Sequence, residues 1–152
     1  MKRTIAFLSE SKRRPRSAAI SHQRPLEVVV LYTQPALAAQ ALAAALELSR
    51  GFEAAITLMA VHVLPYAAPL ECQPGVRTRL EAELAAVART SPISIGARLV
   101  FARDRENAFQ TLLPRNALVV IGAKRHWWRT PEERFARRLA ARGHSVAVIR
   151  VE

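Results

Sequence analysis

Ala117-Leu118-Val119-Val120-Ile121-Gly122-Ala123-Lys124-Arg125-His126-Trp127-Trp128 decides the fold class of this chain. Residues 117–121 are a continuous apolar run of strand length, the pattern of a strand covered on both faces. The run ends at one glycine and opens into a basic, aromatic loop. Thr130-Pro131-Glu132-Glu133 then starts a helix. Thr130 is its N-cap, Pro131 suits the first turn, Glu133 completes a capping box, and Gly143 terminates it. A strand, a loop and a helix in this order form one unit of an open parallel sheet. Ligands in such sheets are expected off the carboxyl ends of the strands.

Outward from this unit the same alternation recurs. Residues 26–32 are apolar and β-branched, a buried strand, and residues 35–50 place Leu37, Leu42, Leu46 and Leu48 among alanines, a helix packed tightly on a sheet. A second strand over 56–64 stops at Pro65. Beyond Pro69 and Pro74-Gly75, a helix over 76–89 carries Val76, Leu80, Leu84 and Val87 on one face. In a third strand over 94–102, Ile93, Ile95, Ala97, Leu99 and Phe101 share one face by period two. A short helix over 106–113 ends at Pro114, and residues 117–121, 130–142 and 145–151 supply a fourth strand, a fourth helix and a fifth strand. The expected fold is α/β: three layers, with an open twisted parallel five-stranded sheet and four helices.

At 152 residues the chain is one domain, long enough to bury an ordinary core. Its apolar runs fall short of the roughly 18 residues that span a bilayer, and residues 5–8 are too short for a signal-peptide core. The single cysteine, Cys72, excludes an intramolecular disulfide framework and a cysteine-rich zinc site, though it leaves redox sensing open. These features place the protein in the cytoplasm, with no membrane partner.

The net charge of +11 is concentrated in two places. Residues 1–25 hold seven Lys/Arg against Glu10, and residues 123–143 hold seven against Glu132 and Glu133, whereas the remainder carries nine of each sign. Residues 1–25 read as a disordered basic arm, because Ser, Pro, Arg and Lys are mixed there without a sustained apolar period. Residues 26–152 form the folded domain. Arg13 and Arg14 in the arm, and Arg134, Arg137 and Arg138 on the outer face of the last helix, are candidates for contacting nucleic acid or an acidic partner protein. The plainer alternative for both is a solvated, solubilising surface.

From residue 26 to residue 151, about four-fifths of the chain, the order of elements resembles the universal stress protein family and its adenine-nucleotide-binding α/β fold. The resemblance rests on three segments. Residues 28–49, ending Ala45-Leu46-Glu47-Leu48, are similar to that family's first strand and helix. Residues 57–65, with Val61-His62-Val63, are similar to its second strand. Residues 118–122, together with Ser145-Val146-Ala147-Val148-Ile149, are similar to its last two strands. The resemblance carries a nucleotide site onto Thr33, Val63 and Gly122, beside the cations Lys124 and Arg125. It also implies a homodimer paired through the last strand, 146–151, whose apolar edge suits such pairing.

The motif that holds ATP in that family is degenerate here. Thr33-Gln34-Pro35 stands where ATP-binding members carry Asp-Gly-Ser, so the carboxylate near ribose and metal is missing. Gly122 matches the first glycine of Gly-x-x-Gly, but Arg125 occupies the second. Glu132-Glu133 replaces the Gly-Ser or Gly-Thr pair at the helix start, after a shorter spacer, and two carboxylates oppose a triphosphate. The leading expectation is a non-enzymatic regulatory module without family-style ATP binding and with no cofactor. The alternatives are a basic nucleic-acid- or polyanion-binding protein on the same fold, or a binder of ATP or another adenine nucleotide, with weak ATPase, that uses Lys124 and Arg125 in place of backbone amides.

Other chemistry has little sequence support. His22, His62, His126 and His144 lack metal-ligand spacing, and His62 reads as a hydrogen-bonded core residue. Asp104 and Glu106 read as loop and helix-start acids rather than an acid–base pair. Trp127 and Trp128 either cover an apolar edge of the sheet or present a stacking platform for single-stranded nucleic acid.

Overall fold

The computed structural model describes residues 3–8, 24–69 and 74–152; Arg13, Arg14, His22 and Cys72 lie outside them. The described residues form six strands and four helices in the order β1 (Arg3–Leu8), β2 (Leu26–Leu31), α1 (Pro35–Leu48), β3 (Ala54–Val63), α2 (Pro74–Ala88), β4 (Gly96–Ala102), α3 (Arg105–Leu112), β5 (Leu118–Lys124), α4 (Pro131–Ala141) and β6 (Ser145–Val151). One sheet holds all six strands in the order β1-β6-β5-β2-β3-β4. The pairs from β6 through β4 are parallel, and β1 alone is antiparallel, against β6.

The sheet therefore has one strand more than the five expected. The additional strand, β1, comes from within the segment read as a disordered arm. An edge strand needs only one neighbour, and the alternation Ile5-Ala6-Phe7-Leu8 suffices for that beside β6. Its position bears on oligomerisation. The register runs from Arg3 opposite Val151 to Leu8 opposite Val146, so β1 occupies the β6 edge through which pairing with a second copy was expected. That edge is not open.

Two apolar layers flank the sheet, as alternation along buried strands requires. Val28, Val30, Leu58, Val120 and Ile149 face α1 and α2, whereas Val29, Leu31, Val119, Ile121 and Val148 face α3 and α4. The predicted helix faces hold: Leu84 and Val87 of α2 are buried, as are Phe135, Ala136 and Leu139 of α4. Each fully buried large side chain contributes about 1.5–3 kcal/mol.

α1 and β5 approach closely at Gly122. A Cβ placed on Gly122 would stand 2.5 Å from the Leu37 carbonyl oxygen and 3.1 Å from the Leu37 Cβ. Gly122 is thus a packing glycine, lacking a side chain because the first turn of α1 occupies the space. Gly122→Ala should lower stability by about 1–3 kcal/mol through overpacking. Gly75→Ala, where a Cβ meets nothing within 4 Å, should leave the urea midpoint unchanged or higher. Equal midpoints for the two variants would contradict the packing role.

Candidate functional site

The strand order places a topological switch between β2 and β5: from β2 the chain progresses to β3 and β4 on one side, and later to β5 and β6 on the other. A ligand crevice is expected where the carboxyl ends of these two strands diverge. At this rim lies a cavity of about 160 Å³, lined by Tyr32, Thr33, His62, Leu80, Leu99 and Arg105 among others. Pockets for drug-sized ligands usually exceed about 300 Å³. Larger concavities, of about 550 and 830 Å³, lie at the opposite rim, lined by Arg24, Arg115, Asn116 and His144 among others. Those sit at the amino ends of the strands, away from the switch.

Several local interactions fix the residues around the cavity. The Tyr32 hydroxyl donates to Glu83 Oε2 of α2 at 2.9 Å, tying β2 to α2 across 51 residues of sequence. Thr33 Oγ1 is buried without a hydrogen-bond partner. His62 is half-buried and stands edge-on to Phe101, ring centroids 5.6 Å apart, an aromatic contact in place of the expected core hydrogen bond. The Arg105 guanidinium lies 4.9 Å from the Phe135 ring centre and 5.7 Å from that of Phe109. Burial lowers its pKa from the ordinary arginine value, opposed by the charge of Glu132. Arg105 is the cation at the cavity and was not a predicted site residue. Its four-residue spacing from Phe109 is the signal that marks it.

Of the predicted nucleotide-site residues, only Thr33 lines this cavity. Val63 is 46% exposed at the end of β3. The space above Gly122 is filled by α1. β5 continues past Gly122 to Lys124, and the Arg125 N–H donates to the Val151 carbonyl at 2.9 Å, so pairing with β6 persists through the stretch that follows the first glycine of the degenerate motif. The Arg125 side chain reaches Glu152 at 2.6 Å. Lys124 is exposed.

The two carboxylates at the start of α4 are engaged within the fold. Glu133 Oε1 accepts from Arg150 Nε at 2.7 Å, and Glu132 acts on Arg105. Thr130 Oγ1 accepts from the Glu133 N–H at 3.3 Å, so the N-cap forms as predicted. The reciprocal half of the capping box does not, since the Glu133 carboxylate serves Arg150. Asp104 caps α3 through Oδ1, accepting from the N–H groups of Glu106 and Asn107. Glu106 pairs with Arg138 and with Arg142. Both acids are structural, in agreement with the sequence.

Two tryptophans complete the rim. Trp127 is 87% exposed and Trp128 is 61% exposed, which rules out their covering an apolar sheet edge. Among the described residues no group of three or more His, Cys, Asp or Glu is placed to hold a metal ion, and no helix is long and apolar enough to cross a membrane.

Burial and the neighbouring Glu83 push the Tyr32 phenol up to about 12 from its ordinary 10.0. The folded state therefore keeps this proton longer than the unfolded chain. Stability from this group is complete below pH 10 and declines as pH rises through about 12. Tyr32→Phe should flatten that alkaline decline, and Glu83→Gln should bring the phenolate absorbance step to lower pH. An unmoved step in Glu83→Gln would contradict the coupling. No protein-family model matches the chain, and a search of curated proteins returned no match.

Proposed function

We propose that this chain is a non-enzymatic regulatory module of universal-stress-protein-like architecture that does not bind ATP in that family's manner and acts through its surface. The observation that carries this reading is the Leu37 carbonyl oxygen lying 2.5 Å from where a Gly122 Cβ would stand. A glycine that opens backbone amides to phosphate must face free space; this one faces the first turn of a helix.

The electrostatics of the rim support the same conclusion. Glu132 and Glu133 stand at the helix start where a triphosphate would need donors; Glu133 pairs with Arg150, and the charge of Glu132 acts on Arg105. Moving Glu133 would cost the fold its ion pair with Arg150. The 160 Å³ cavity between Tyr32 and Arg105 is also too small for a nucleoside triphosphate. Among the described residues, His62 at the cavity rests on Phe101, and Asp104 beside it is committed to capping α3.

Mass spectrometry of the purified, denatured protein should find no stoichiometric adenine nucleotide. Calorimetric titration with Mg-ATP should show no saturable heat up to about 1 mM, equivalent to binding weaker than about −4.1 kcal/mol. A co-purifying adenine nucleotide at one per chain would overturn the reading.

A further inference from the structure

Folding leaves the indoles of Trp127 and Trp128 unburied. They rest against each other, ring centroids 4.4 Å apart at 38°, while remaining 87% and 61% exposed. Exposed aromatic surface of this kind carries a hydration cost that a partner can remove. The segment from Lys124 to Arg129 contains no acid. Arg125 is engaged by Glu152, whereas Lys124, Arg129 and Arg137 have no ion-pair partner among the described residues.

The adjoining helix extends this basic surface. Arg134 Nη2 donates to the Arg129 carbonyl at 3.4 Å, which brings a guanidinium of α4 back to the loop. Arg137 is exposed one turn further along. Of Glu132 and Glu133, the only acids on α4, Glu133 pairs with Arg150, and the charge of Glu132 acts on Arg105. The outer surface is therefore an aromatic pair continued by cations along one helix.

We propose that Trp127 and Trp128, with Lys124, Arg129, Arg134 and Arg137, form a binding surface for single-stranded nucleic acid. Unpaired bases offer flat faces that stack on indoles, while their phosphates meet the flanking cations. A duplex stacks its bases internally and offers the indoles nothing. An acidic peptide would use the cations and leave the aromatic pair in water. An anionic bilayer needs a broader apolar contact, and no other exposed large apolar side chain belongs to this loop or to α4. The surface is separate from the cavity at Arg105, so the proposal stands whether or not that cavity holds a ligand.

The test uses the full chain, a labelled oligothymidylate of about 20 nucleotides, and a blunt duplex of equal length, titrated at several salt concentrations while tryptophan emission is recorded. The oligothymidylate should quench the emission and bind more tightly than the duplex. Trp127→Ala/Trp128→Ala should weaken single-strand binding about tenfold or more with little change in salt slope. Arg134→Ala/Arg137→Ala should reduce the slope by about 1.4, near 0.7 for each phosphate that is no longer neutralised. All four side chains lie at the surface, so matching urea midpoints should confirm the fold of both variants. Undiminished single-strand binding by the tryptophan variant would overturn the proposal. So would equal affinity for the duplex, or an emission change produced only by phosphatidylserine-containing vesicles.

Discussion

The close approach of the α1 backbone to Gly122 is the constraint on which the rest of the carboxyl rim depends. Because the Leu37 carbonyl oxygen stands where a side chain would be, the first turn of α1 lies directly on β5. Leu37, Ala38 and Ala41 are buried there without a larger residue holding the helix away. The switch point between β2 and β5 is thereby roofed. What remains at the rim is the small space beside Tyr32 and Arg105, where Tyr32 also hydrogen-bonds Glu83 of α2.

Charge follows the same logic of commitment inside and freedom outside. Glu106, Glu133 and Glu152 are each paired with an arginine, and Glu132 lies within the electrostatic reach of Arg105. These contacts knit α3, α4 and β6 together, although exposed pairs such as Arg125–Glu152 add little stability individually. Their larger effect is on the field around the molecule. Every acid drawn to an internal partner leaves the unpaired cations of the β5–α4 loop less compensated.

Much of this arrangement was legible from particular residues. The apolar run at Leu118–Ile121, Thr130 as a cap, and the four-residue spacing of Leu80 and Leu84 each have a local cause, and each is found in the structure. What could not be read depends on distant neighbours. A glycine that admits phosphate and a glycine that admits a helix are the same letter, so the packing role of Gly122 had no local signal. Tyr32 and Glu83 are 51 residues apart, with nothing local to pair them. Arg105 sits between two acids whose structural role was recognised, yet its burial is set by Phe135 on another helix. β1 was hidden by the basic residues that surround it, and its stability as a strand comes from β6.

That edge strand separates two duties that the central strands combine. Ile5 and Phe7 stay exposed, 36% and 63%, so β1 adds little to the buried core. Its contribution is backbone pairing along β6 from Val146 to Val151, a strand that includes the apolar run Val146, Ala147, Val148 and Ile149. A seven-residue edge strand is exchanged for a six-residue one that begins at Arg3. Pairing with β1 thus turns β6 from an edge strand into an interior one, with neighbours on both sides.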